Sequence, residues 1–322
     1  MSDLLAPLMK SAHAGARKSG YDEMTRLLPW EGSFVSDTGV LRTTYADERR
    51  LRVRQEIHDQ YTLPRVDYAA WVTDRAGWKA PRRILDVGAG SGMYHAHIRE
   101  HYPQAEYHAL DHSYSMIRNH PQPSNRLVAD AQALPFASAT FDVVMAHHML
   151  FYVDDIDRAL SEFTRVLEPE GVLVTATNSI QTMPEFQALF RRALLLLSNH
   201  VRPNSQYLVP PHNHYSLENG VRRLSRYFHT VVRHDLPAAL VFPEIEPVIT
   251  YLDSLRPFRE AGLPPDVTWE ALMEAMYDQV NRVITLQGEL IVSKLSGVLV
   301  ASNHPDFIER YTQQVIATTA PH

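Results

Sequence analysis

The chain has 322 residues, 45% of them hydrophobic, enough for one large α/β domain with insertions or two modest domains, and too apolar for a disordered protein. Its 31 basic and 37 acidic side chains leave a formal charge of −6, which supplies no basic stripe for a phosphate backbone and argues against a nucleic-acid partner. There is no cysteine, which removes disulfides, thiolate metal ligands and a cysteine nucleophile together.

Met1 to Lys10 lacks the basic-then-apolar order of a signal peptide, and the longest apolar runs, such as Ala193 to Leu197, fall far short of the ~20 residues that span a bilayer. These features predict a soluble, cytoplasmic protein with no membrane span. Residues 1–80 read as helical and irregular. Their best helix runs from about Asp47 to Tyr61, with Leu51, Val53 and Ile57 as its apolar stripe and Pro64 as its stop. From Pro81 the pattern changes to strands at 83–87, 105–110, 125–129, 141–147 and 172–177, separated by helices at about 92–102, 113–119 and 153–167. Such alternation predicts βαβ units and a parallel sheet, because each crossover needs a helix to return the chain. Beyond Asn178 come a helix at about 183–199, a loop to Tyr215, and a helix from the cap Ser216 to about Phe228. A sixth strand at 230–235, a further short strand at 238–242 and helices at 244–255 and 267–286 follow, and Gly297 to Ser302 forms the last strand. The long connection before that strand predicts a lid or substrate cap.

The most informative stretch is Arg83-Ile84-Leu85-Asp86-Val87-Gly88-Ala89-Gly90-Ser91-Gly92-Met93. It reads as a buried strand that stops in a glycine-rich turn and restarts as a helix, the nucleotide-binding edge of an open α/β sheet. Glycine serves there because a side chain would block backbone approach to a ligand. The spacing is Gly-x-Gly-x-Gly, with Met93 where the dinucleotide fingerprint has its last glycine, which favours S-adenosylmethionine over NAD. Asp111 ends the second strand at about the ~20-residue distance of a ribose-binding acid, against the plainer reading of a surface acid. Asp130, at the end of the third strand, is placed to accept from an adenine amino group, or else caps its own turn.

Taken together, Asp86 to Gly92, Asp111, Asp130-Ala131-Gln132-Ala133-Leu134-Pro135-Phe136, Phe141-Asp142-Val143-Val144 and Arg165-Val166-Leu167-Glu168-Pro169-Glu170-Gly171 occur in an order that resembles class I S-adenosylmethionine-dependent methyltransferases. In detail the set is similar to the ubiquinone/menaquinone-biosynthesis type of small-molecule methyltransferase. The expected fold is a Rossmann-like, doubly wound α/β sheet of seven mostly parallel strands with an antiparallel last strand, plus helical N-terminal and cap insertions. Its expected divisions are an N-terminal lid over 1–80, a cofactor-binding core over 81–180, a cap with the sixth strand over 181–295, and the last strand and tail over 296–322. The resemblance implies that Gly88, Ala89 and Gly90 lie against the cofactor's amino-acid moiety and that Asp86 holds the turn or the cofactor ammonium. It implies Asp111 on the ribose, His112 and Met116 beside the adenine, and Asp130, Ala131 and Gln132 at the other adenine edge. Glu170 departs from the usual glycine before the fifth strand, a matter of turn geometry.

Methyl transfer from a sulfonium needs a well-placed nucleophile and exclusion of water, so no fixed catalytic motif is required and none is seen. Candidates lie at the end of the fourth strand: His147, which the resemblance turns toward the methyl, His148, and Tyr152 as an orienter of a substrate hydroxyl. The alternatives are a His packed beneath the cofactor and an aromatic in the core. Tyr61, with His58 on the same helix, is placed by the resemblance over the cofactor. His212-Asn213-His214-Tyr215 offers two metal ligands without a third of suitable spacing, so no metal is expected there. The apolar residues Tyr207, Leu208, Val209, Tyr215 and Phe242 predict a partly hydrophobic small-molecule acceptor. The sequence does not fix the oligomeric state. The reading is therefore a methyltransferase acting on an O, N or C nucleophile. A cofactor-binding scaffold and a nicotinamide oxidoreductase are the alternatives.

Overall fold

The computed structural model describes residues 48–78, 80–122, 124–199 and 214–319. Its sheet grows outward from β2 (Arg83–Val87), whose residues Ile84 to Val87 are buried. Both faces of this strand are covered, which is why Ile84, Leu85 and Val87 are apolar on both faces instead of alternating with polar residues, Asp86 being the buried exception. On one side β2 pairs in parallel with β3 (Glu106–Asp111) and, through it, β4 (Arg126–Val128). On the other it pairs in parallel with β5 (Phe141–His147), which leads to β6 (Leu167–Asn178). The winding thus reverses between β2 and β5, and the carboxyl ends of those two strands flank the crevice where open α/β sheets bind ligands.

The sheet continues through β8 (Leu290–Ser302), antiparallel to β6, and β7 (Thr230–Phe242), antiparallel to β8. At its edge lies β1 (Thr62–Leu63), giving eight strands in the order β1-β7-β8-β6-β5-β2-β3-β4. The expected antiparallel last strand is present; the expected count of seven is one short. A two-residue strand has no alternation to read, so β1 leaves no periodic signal.

Helix Ile156–Val166, capped by the Asp155 carboxylate accepting from Arg158 N–H, packs one apolar stripe with Leu217–Leu224 on one face of the sheet. The opposite face takes the helices at Tyr68–Asp74, His95–His101 and Phe307–Thr319. A third core stands apart from these two. There, helices Glu48–Tyr61, Pro184–Leu197, Ile245–Asp253 and Trp269–Gln287 pack on the far halves of β7 and β8, around Phe186, Phe242, Leu272 and Val292.

Two expected boundaries move. The strands expected at 230–235 and 238–242 are one strand running through Pro237, opposite Leu295. The backbone groups of Leu295 bond instead to Ser179 N–H and Thr182 Oγ1, so Pro237 withholds no ladder donor. The last strand starts at Leu290, seven residues before Gly297, and the expected 295/296 division falls inside it. Its first half alternates buried and exposed residues because only the cap covers it, whereas its second half is buried throughout.

Gly297 sits in the middle of β8, paired to Thr177 on one side and Asp235 on the other, and a Cβ there would collide with the His234 carbonyl and meet Leu217 at 3.0 Å. Gly297→Ala is expected to cost about 1–3 kcal/mol in urea unfolding. Gly262→Ala, at a position with nothing within 4 Å of the added carbon, is the control expected to leave stability nearly unchanged.

Candidate active site

The turn after β2 is fixed by two clamps. Gly88 and Ala89 N–H both donate to the Leu110 carbonyl of β3, at 2.7 and 3.0 Å. The Asp111 carboxylate then accepts Gly90 N–H at 2.9 Å through one oxygen and Ser113 N–H at 2.8 Å through the other. Gly88 has φ +71, and a Cβ on it would meet Met149 at 2.7 Å, so crowding from the protein as well as backbone conformation requires glycine there. Burial raises the pKa of Asp111 despite the two backbone donors that favour its charged form.

Beneath the turn lies Asp86, 2% exposed, which accepts from the Tyr107 hydroxyl at 2.5 Å. Burial pushes its pKa up to about 7; the Tyr107 bond works against that shift and the nearby Asp111 adds to it. No basic side chain pairs with Asp86 or Asp111 among the described residues. The Tyr94 hydroxyl, close by, also lacks a partner among the described residues.

At the end of β5 the two histidines differ. His147 is buried, and its Nδ1 accepts Ala176 N–H at 3.1 Å, which assigns the remaining proton to Nε2. Its ring lies against Tyr94, 4.4 Å between centroids, and burial, with a smaller contribution from His148, lowers its pKa to about 3. His148 has φ +52, a left-handed conformation that costs a non-glycine residue roughly 1 kcal/mol or more. Its Nε2 lies 2.8 Å from the Tyr68 hydroxyl, and burial raises the Tyr68 pKa. Tyr68 escaped the sequence reading. Asp67, whose carboxylate caps its short helix by accepting from Ala70 N–H, is the one local signal that marks it.

These groups line one cavity of about 1440 Å³ that also takes in His112, Met116, Asp130, Ala131 and Gln132. Met116 is buried against the turn, whereas His112 and Asp130 are exposed at the rim. Asp130 Oδ1 accepts Gln132 N–H at 2.8 Å, so it caps its turn and faces the cavity at once. Gln132 Oε1 in turn accepts Asp155 N–H at 3.0 Å. Tyr152 lines the cavity with its ring stacked toward Phe258 at 6.3 Å.

Tyr61 is not brought to the cavity. The chain turns from its helix directly into β1, which carries the ring onto Phe242 of β7, 5.0 Å away, and His58 one turn earlier lines the cavity instead. The apolar wall also differs from expectation. Tyr215 is buried under the sheet with its hydroxyl 2.7 Å from Thr175 Oγ1, and Phe242 belongs to the cap core. Phe186, Phe190, Tyr251, Phe258 and Trp269 supply the wall in their place. Tyr207, Leu208, Val209, His212 and Asn213 lie outside the described residues. Among the described residues there is no cluster of three potential metal ligands and no helix long and apolar enough to cross a membrane.

Residues 85–175, from the middle of β2 into β6, match a family described as a methyltransferase domain. Over that stretch, a little over a quarter of the chain, it is similar to methyltransferase domains. Malonyl-[acyl-carrier protein] O-methyltransferase of Geobacter sulfurreducens is 36% identical over 120 residues, covering 35% of this chain and 45% of that protein. The protein of the same name from Xylella fastidiosa is 32% identical over 126 residues, covering 37% and 43%. The chain thus spans less than half the length of the curated relatives it matches. Among solved structures, a methyltransferase assigned to an antibiotic biosynthesis pathway of Anabaena variabilis superposes with a TM-score of 0.51 at 13% identity, over 73% of this chain and 96% of that one. At that identity the likeness is one of fold.

The two buried titrations beside the glycine turn act in opposite senses. Asp86, raised to about 7, favours the folded state most below its unfolded value near 3.8 and loses that contribution as pH rises through 7. His147, lowered to about 3, favours the folded state above its unfolded value of 6.5 and loses that contribution as pH falls from there. Between pH 7.5 and 5.5 the Tm of Asp86→Asn is expected to fall more steeply than that of the unsubstituted protein, and that of His147→Gln less steeply. Parallel curves for all three in differential scanning fluorimetry would refute both shifts.

Proposed function

We propose that the chain is an S-adenosylmethionine-dependent methyltransferase that methylates an O, N or C nucleophile of a small organic acceptor. The observation that carries this reading is the Asp111 carboxylate, clamped by Gly90 and Ser113 N–H at the mouth of the glycine turn, inside a cavity shared with the cap. The donor set fits the cofactor. Asp86, buried, and Asp111, half-buried, form no ion pair with a lysine or arginine among the described residues, which suits a cationic, hydroxyl-bearing ligand, and each Asp111 oxygen keeps a lone pair for a ribose hydroxyl. Gly88, Ala89 and Gly90 would face the amino-acid moiety and Asp86 the ammonium. His112 and Met116 would flank the adenine, with Asp130, Ala131 and Gln132 at its other edge.

When bound, the cofactor supplies a methyl group already activated on a sulfonium. The protein's part is placement, exclusion of water and, for a protonated nucleophile, removal of a proton. His148 and Tyr68 form the pair suited to that last task, since they share a hydrogen bond at the cavity wall. His147 serves instead as a neutral spacer that fixes β5 to β6 and packs Tyr94, because its Nδ1 is committed to Ala176. Tyr152, which lines the cavity, would orient the acceptor.

Calorimetry with S-adenosylmethionine tests the cofactor assignment. Asp111→Ala should weaken binding by about 1.5 kcal/mol or more, roughly tenfold, and Asp111→Asn by less, because one acceptor oxygen remains. Binding of NADH with none of S-adenosylmethionine would overturn the reading. With an acceptor drawn from a panel of small organic nucleophiles, His148→Gln should lower kcat by about 100-fold or more while leaving cofactor affinity in place. Cofactor binding without S-adenosylhomocysteine formation across the whole panel would instead favour a non-methylating protein.

A further inference from the structure

The helix Arg256–Arg259 carries two arginines with opposite surroundings. Arg256 faces outward and pairs with Glu260 at 2.7 Å and Glu270 at 2.9 Å. Arg259 lines the cavity. Its guanidinium lies 4.7 Å above the Phe190 ring, and its polar contact is a long one, 3.4 Å to Gln187 Oε1. No carboxylate pairs with it among the described residues. Burial lowers its pKa to about 10, opposed by the nearby Tyr251.

A second cation, Arg54, reaches the same wall from helix Glu48–Tyr61. It donates to the Ser254 carbonyl at 3.1 Å and covers the Phe258 ring at 5.5 Å, again without a carboxylate partner among the described residues. Both guanidiniums act on the buried Tyr251 hydroxyl, which bonds to Met183 Sδ. Lys294 of β8 adds a third cation, 3.4 Å from His58 Nδ1, with Asp59 as the acid in its field. Asp59 lines the cavity beside these three cations, while Asp86, Asp111 and Asp130 line it at the glycine-turn end; Arg65, Asp67, Arg118 and Asp154 complete the charged lining among the described residues.

A guanidinium held against aromatic rings and left without a counter-ion costs stability unless a ligand supplies the charge. Its planar fork matches a carboxylate with two parallel hydrogen bonds. Resting on the methyltransferase reading, we propose that Arg259 and Arg54 form an anion subsite in the cap that anchors the carboxylate of an otherwise apolar acceptor, whose body lies against Phe186, Phe190, Phe258 and Trp269. The apolar wall favours a singly charged carboxylate over a doubly charged phosphate, because each further charge brought against the aromatic rings must be desolvated.

Octanoate, octanamide and octyl phosphate are the probes, titrated calorimetrically into the full-length protein with and without S-adenosylhomocysteine. Octanoate should bind about tenfold or more tighter than octanamide, and Arg259→Met should abolish that preference. The same variant should keep its S-adenosylhomocysteine affinity and melt, unliganded, no lower than the unsubstituted protein, since it removes an uncompensated charge while preserving the stem packed on Phe190. Equal affinity for octanoate and octanamide, an undiminished preference in Arg259→Met, or a clear loss of its unliganded stability would each overturn the proposal, as would tighter binding of octyl phosphate. Failure of the unsubstituted protein to bind S-adenosylhomocysteine would count against the methyltransferase reading and leave the carboxylate preference to be judged by itself.

Discussion

One carboxylate ties the site together. Asp111 closes β3 and, by accepting N–H groups from Gly90 and Ser113, holds the turn after β2 and the turn after β3 in a fixed relation. The two turns otherwise have little to keep them in register, since the strands end and the ladder bonds end with them. Leu110 reinforces the link by taking both Gly88 and Ala89 N–H on its carbonyl. Everything that faces the cavity from the sheet is positioned relative to this junction: Asp86 below it, Met116 against it, and His147 and His148 across the winding reversal at the end of β5.

The parts legible in the sequence are those whose signal is local. β2 and β5 have the bounds that the sequence predicts, because strands covered on both faces are apolar on both, with Asp86 and Asp142 as the interior exceptions. Asp111 was legible from its distance beyond the glycine turn. β7 was read as two strands because Pro237 ordinarily marks a break, and only its non-hydrogen-bonded place opposite Leu295 makes it harmless. The resemblance places Tyr61 over the cofactor, yet the immediate entry into β1 turns its ring away, a consequence of Thr62 pairing with Leu240, 178 positions later.

The cap was the least legible region for the same reason carried further. Its core is assembled from four helices far apart in sequence, so the apolar wall of the cavity belongs to no single motif. Arg256 and Arg259 are three residues apart and chemically identical, and each lies over an aromatic ring; tertiary placement alone gives one of them two carboxylates as well. A charge that matters because it lacks a partner cannot be recognised in a list of residue types. The glycine-turn half and the cap half therefore differ in how they are encoded: one by a compact, ordered set of motifs, the other by long-range packing.

Phe242 and Leu290, the last residue of β7 and the first of β8, are cross-strand partners. Everything from 243 to 289, including Tyr251 and Arg259, is topologically the loop of a single β-hairpin. Its two ends meet at adjacent backbone positions, so this segment can be lengthened, shortened or exchanged without moving a strand past its neighbour. The hairpin works as a socket: the sheet below keeps the glycine turn and its clamps in place, while what is plugged in above it is free to change the cavity wall.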